Sequence, residues 1–162
     1  MYFESINLGK IKANINEAEP VLRDSNIVSF NINSVKSGDL NNAHQYPNGL
    51  NSYELCSLSR FSGLSSRINI VSFFENWDLS IMNSLLAESL WYVLDGYSTR
   101  VDENPLDDNN DFIYYHVELD NYKFKFYRSK LSDRWWVEFL NEELITLEKD
   151  IISCTLNDYN NC

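Results

Sequence analysis

Asn31, Asn33 and Glu75 are the residues whose types and spacing point most directly to chemistry. Asn31 and Asn33 follow a short apolar block, Ile27, Val28 and Phe30. Glu75 follows a second one, Ile68, Ile70, Val71, Phe73 and Phe74. An apolar run that gives way to polar side chains reads as a buried parallel strand whose carboxyl end opens onto a site. Ligands of open α/β sheets sit outside the carboxyl ends of the strands, so the three polar residues are expected to face one crevice. Metal-assisted hydrolysis there would need carboxylates or imidazoles converging at bonding distance, typically Asp-x-Asp at a strand end with added histidines. This strand end carries amides, and of the two histidines only His44 falls in a loop beside the expected crevice; His116 lies inside a β run and is read as structural. The same residues also fit a bland role, with Glu75 capping the next helix and the two asparagines shaping a turn.

Other catalytic patterns find little purchase. A Gly-x-Ser-x-Gly elbow is absent, and the five glycines are scattered singly with no phosphate-binding loop. Cys56, Cys154 and Cys162 are odd in number, widely spaced and without a CxxC, which points neither to a disulfide framework nor to zinc. Cys56 falls in an apolar helical pattern and is read as core, and terminal Cys162 as exposed. The acidic group Asp107, Asp108 and Asp111 lacks the spacing of a calcium loop and reads as solvated surface. Tyr114, Tyr115, Tyr122, Phe124, Phe126, Trp135 and Trp136 could stack a planar ligand, but the packed face of a small sheet explains them better.

The elements that must position these residues follow from periodicity. Residues 1–12 suggest a strand through Ile6, Leu8 and Ile11 broken at Gly9, and residues 14–22 a helix that meets Pro20. A strand over 26–31 leads into a long polar loop, 33–48, of a length that usually marks function or mobility. Ser52 opens a helix through about Phe61 with Tyr53, Cys56, Leu58 and Phe61 as its apolar stripe, and Gly63 stops it. After the strand 68–74, the longest helix covers 79–97, with Ile81, Leu85, Leu86, Leu90, Val93 and Leu94 on its buried side. Strand, helix, strand, helix implies a right-handed parallel unit. Beyond Arg100 the character changes: runs 112–119 and 122–127 join at Asp120-Asn121 as a hairpin, and 134–139 reads as a third antiparallel strand. Its alternation sends Trp135, Val137 and Phe139 to one face and Trp136 and Glu138 to the other. The tail to Cys162 is polar apart from Ile151-Ile152.

Composition sets the outer limits. The 162 residues, 44% hydrophobic and 14% aromatic, suffice for one domain with a core (1–162), in which 1–100 form a parallel α/β portion and 101–162 an antiparallel extension and tail. A net charge of −11 argues against nucleic acid or an anionic membrane as partner. No charged-then-apolar leader opens the sequence and no apolar run approaches the ~20 residues of a span, so the expected location is cytoplasmic.

Several stretches resemble one family. Ser29-Phe-Asn-Ile-Asn-Ser-Val35 resembles the Ser-Phe-Asp-x-Asp/Ser strand end of the ureohydrolases, the family of arginase, agmatinase and formimidoylglutamase. Pro47-Asn-Gly-Leu50 is similar to the family's turn, with Tyr53-Glu54 beginning the helix after it. Gly63-Leu64-Ser65 and the strand ending in Glu75, then Leu90-Trp-Tyr92 with Gly96 and Arg100, look like a Bacteroidetes-type branch. So do Tyr127-Arg-Ser-Lys130 with Ser132-Asp-Arg-Trp-Trp136, and the tail Ile152-Ser-Cys-Thr155 with Asp158-Tyr159. The resemblance implies the C-terminal part of a three-layer α/β/α parallel-sheet fold, carrying an added antiparallel hairpin or three-stranded sheet. It implies a manganese-dependent hydrolase of guanidino or formimino compounds, with Glu75 facing that group; His44, from its place in the loop beside the expected crevice, is the other substrate-binding candidate. It also puts Asn31 and Asn33 at positions where the family has metal-ligating aspartates. The family's upstream metal-binding histidine and Asp-x-His-x-Asp strand have no counterpart here. A neutral amide oxygen is a far weaker ligand for a hard divalent cation than a carboxylate, so this chain is expected not to bind manganese and to be inactive alone.

Three roles follow as expectations: a decayed or truncated hydrolase; a split or pseudo-enzyme subunit, either self-associating or pairing with a chain that supplies the N-terminal half; and a small binding or immunity-type module. An exposed apolar sheet edge near residues 28–30 would favour the first two.

Overall fold

The computed structural model describes residues 5–36, 39, 47–75, 79–107, 111–119, 122–140 and 151–162, with backbone alone for 79–83. His44 and the Asp120-Asn121 turn lie outside them. The chain divides into two compact units, Met1–Arg100 and Val101–Cys162. It is a mixed α/β structure whose two sheets are separate, one of two parallel strands and one of four antiparallel strands.

In the first unit, strands β1 (Ile27–Asn31) and β2 (Ile70–Phe74) pair in parallel, with Ile27 opposite Ile70 and Asn31 opposite Phe74. Helix α3 (Ser52–Gly63) lies between them in sequence, as a strand–helix–strand pattern requires. Val28 and Phe30 of β1 join Ile32, Val35 and the α3 residues Leu55, Cys56 and Leu58 in one core. Residues 28 and 30 are therefore inside, and the apolar side chains left outside are Phe74, 40% exposed, and the cross-strand pair Ile27 and Ile70, 63% and 52% exposed.

The N-terminal segment departs from expectation. Leu8–Ala13 is a helix, α1, and not a strand, because the Asn7 side chain caps it by accepting the Lys10 N–H at 2.9 Å. Pro20 sits in the first turn of a short second helix, α2 (Glu19–Arg23), where its missing N–H costs nothing. It opens that helix, where the sequence suggested an ending or a turn. In α3 the expected stripe is shifted: Tyr53 is exposed, and Leu55, Ser59 and Ser62 are buried with Cys56 and Leu58.

Helix α4 (Leu79–Thr99) packs on α3 through small residues. Gly63 is the last helical residue of α3 and has no left-handed backbone, so it is not a stop signal. A Cβ there would lie 2.1 Å from the Val93 carbonyl oxygen, and one at Gly96 would lie 2.3 Å from the Arg60 carbonyl oxygen. Both glycines exist to let the helix backbones touch, and Arg60 pairs with Asp95 at 2.7 Å beside the contact. This contact turns Leu85, Ser89 and half-buried Val93 inward and leaves Leu90 (51%) and Leu94 (62%) outward, contrary to the expected stripe.

In the second unit the sheet order is β3 (Phe112–Leu119), β4 (Tyr122–Ser129), β5 (Trp135–Leu140) and β6 (Ile151–Cys154), all antiparallel. The expected three strands gain a fourth from the tail, and helix α5 (Leu156–Asn160) follows. Its start is a capping box: Thr155 Oγ1 accepts the Asp158 N–H while Asp158 Oδ2 accepts the Thr155 N–H. Trp135, 5% exposed, packs against the rings of Tyr115 (5.3 Å) and Tyr159 (5.0 Å), which also meet each other at 5.2 Å. Trp136 turns to the other face and meets Phe112 edge-on at 5.6 Å. There the buried Tyr127 hydroxyl donates to Glu138; burial first, then this carboxylate, pushes the phenol well above its ordinary pKa.

Two stability outcomes are expected. Gly96→Ala or Gly63→Ala gains about 1 kcal/mol of helix propensity but overpacks a backbone contact, so the urea midpoint should fall by the equivalent of about 2 kcal/mol. An unchanged midpoint would mean that the helices do not touch there. Trp135→Ala should cost about 3–5 kcal/mol, and a near-neutral result would place the indole on the surface.

Candidate functional site

The site is built at the carboxyl ends of β1 and β2. Parallel register sets Asn31 against Phe74, so Glu75, one residue further on, emerges beside the polar end of β1. There Asn31 Nδ2 donates to Glu75 Oε2 at 3.1 Å, and Asn33 Nδ2 donates to the same oxygen at 2.8 Å. Asn31 Oδ1 accepts the Asn33 backbone N–H at 2.8 Å, capping a single 3₁₀ turn, Ile32–Ser34. That bond fixes the amide: only its oxygen can accept the N–H, so its nitrogen is turned toward the carboxylate. One rung down the same sheet face, the Ser29 and Ser72 hydroxyls bond at 2.6 Å.

Two features were not legible in the sequence. Glu75 has φ 63°, a left-handed conformation that costs a non-glycine residue about 1–2 kcal/mol. The two amide bonds hold the side chain of this strained residue in place. Asn33 Oδ1 is buried with no partner among the described residues. An aspartate there would have to bury charge at that atom.

The long loop is tied down at both ends. Val35 and Leu50 form a parallel bridge: Lys36 N–H donates to the Leu50 carbonyl and Leu50 N–H to the Ser34 carbonyl, each at 2.8 Å. Gly49 makes this possible, since a Cβ would lie 2.4 Å from the Ser34 carbonyl oxygen. Inside the loop, Asp39 Oδ2 accepts the Ser52 N–H at 2.7 Å and the Ser52 hydroxyl at 3.0 Å, and Asp39 pairs with Lys36. Slight burial works to raise the Asp39 pKa, but these bonds outweigh it and hold the carboxyl below its ordinary value. The clasp is therefore complete above the ordinary carboxylate pKa and is lost as pH falls through the lowered one.

Of the sequence-derived candidates, Asn31, Asn33 and Glu75 come together around one oxygen. His44 lies outside the described residues, and His116 is an exposed residue of β3 paired opposite Lys125. As a donor set the cluster holds one carboxylate and two amides whose nitrogens face it. Among the described residues no three His, Cys, Asp or Glu side chains gather in a way that could hold a metal ion. By themselves the three side chains at the strand ends supply one anionic group, where a pair of divalent ions calls for several anionic oxygens. A carboxylate fixed by amides can instead accept N–H donors from a ligand: Glu75 Oε1 has no partner among the described residues. No helix among these residues is long and apolar enough to cross a membrane.

No protein-family model matches the chain, and no curated protein matches it. Among solved structures, a formiminoglutamase from Trypanosoma cruzi, in its oxidized form with two Mn²⁺ at pH 8.5, aligns with a TM-score of 0.49 and 18% identity. The alignment covers 58% of this chain and 36% of that one, so the chain spans little more than a third of the relative's length.

Proposed function

We propose that this chain is a ureohydrolase-like protein that uses Glu75 to hold a guanidino or formimino ligand and carries out no hydrolysis on its own. The observation that carries the reading is the convergence of the Asn31 and Asn33 amide nitrogens on Glu75 Oε2. A carboxylate so held keeps Oε1 for an N–H donor of a planar cation, the charge-assisted geometry by which such groups are bound. The same amides occupy the positions from which aspartates would activate water through metal, so binding is retained and bond cleavage is not. The likeness of Ser29–Val35 and of Ser132–Trp136 to the ureohydrolase pattern supports the choice of ligand class.

A second reading, a subunit completed by another polypeptide, is favoured by one feature. Parallel sheets are ordinarily covered on both faces. Here Ile27 and Ile70 lie bare on a sheet of two strands, and no further strand joins its edges among the described residues.

Calorimetric titration with N-formimino-L-glutamate and with arginine tests the main reading. Wild-type protein should bind one of them, and Glu75→Gln should weaken that binding at least ~10-fold, the scale of losing one charge-assisted bond. Equal binding by the variant, or release of formamide or urea by the wild-type chain, would sink it.

A further inference from the structure

We propose that Asn31 and Asn33 form a metal-independent clamp: positioning residues that do with N–H donors what bound cations would do with charge, and that bar divalent ions from the strand ends. This rests on Glu75 being the group offered to ligand. An ionised carboxylate at a strained residue needs something to fix its direction, and here two N–H donors bracket one oxygen at 3.1 and 2.8 Å.

The clamp and a divalent ion exclude each other for three reasons. Each amide presents its partially positive N–H side to the carboxylate, where a cation would have to sit. Turning Asn31 over would break its cap on the Asn33 N–H and its bond to Glu75 together. The spare acceptor, Asn33 Oδ1, is a neutral oxygen enclosed by protein, a poor entry point for a hydrated divalent ion. The local formal charge is −1, against −3 if both asparagines were aspartates.

The charge difference gives a test with a sign. In Asn31→Asp/Asn33→Asp the two donors become anions at hydrogen-bond distance from Glu75, and the three carboxylates repel. That variant should melt below wild type in EDTA and rise on addition of MnCl₂, by on the order of 5 °C at ~100-fold excess over its Kd. Wild-type melting should be indifferent to MnCl₂, and its titration followed by Mn²⁺ paramagnetic resonance should show only free ion. If the double variant does not fold without metal, Asn33→Asp alone carries the same comparison. Manganese uptake by the wild-type chain overturns the proposal, and so does a folded aspartate variant that ignores manganese. Because the readout is metal binding, it can fail while the Glu75→Gln ligand titration succeeds, or the reverse.

Discussion

The parallel pairing of β1 with β2 in one register is the constraint on which the candidate site depends. Side chains alternate faces along a strand, so a slip by one residue would move Asn31 to the core face and bring Val28 out to solvent. The register is held from both sides. Val28 and Phe30 must enter the core with Leu55 and Leu58, and Phe30 stacks on Phe73 at 5.2 Å. On the outer face the Ser29–Ser72 bond fits only this alignment. Once it is set, Glu75 has one place to go, and the polar end of β1 is beside it.

The helices reinforce that frame by backbone contact more than by side-chain bulk. Gly63 and Gly96 let α3 and α4 approach until each glycine faces a carbonyl of the other helix. The buried hydroxyls on α3 are satisfied within the helix, Ser59 by the Leu55 carbonyl and Ser62 by the Leu58 carbonyl, so polar residues line a tight contact without orphaned groups. The four-stranded sheet works differently. It carries large aromatic clusters on both faces, one around Trp136 and Tyr127 and the other around Trp135, Phe126 and Tyr159.

At the strand ends, side-chain chemistry is separable from the scaffold. Asn and Asp are nearly isosteric, so amides fit where carboxylates would fit, but they reverse the sign of what faces Glu75. A carboxylate pair would attract metal and repel Glu75; an amide pair attracts Glu75 and offers metal nothing charged. The direction of the Glu75 carboxylate is thus tied to two side-chain nitrogens.

Much of the local structure was legible in the sequence. The apolar runs gave β1 and β2 within two residues, the longest helix was recognisable by its period, and alternation placed Trp135 and Trp136 on opposite faces of β5. These features depend on backbone period and so are written locally. What the tertiary structure alone decided is which face meets which partner. Leu90 and Leu94 look like core by period yet point outward, because glycine contact with α3 sets how α4 is rotated. Gly63 looks like a helix stop and is a point of contact. The strand β6 and helix α5 are short, and they persist because Cys154 and Tyr159 pack with Trp135 and Phe126. The sequence placed two asparagines and a glutamate at the ends of two strands. Only parallel register and a capped 3₁₀ turn determined that both amides give their hydrogens to one carboxylate oxygen, since the cap on the Asn33 N–H sets the Asn31 amide and strand pairing brings Glu75 to it from 44 residues away.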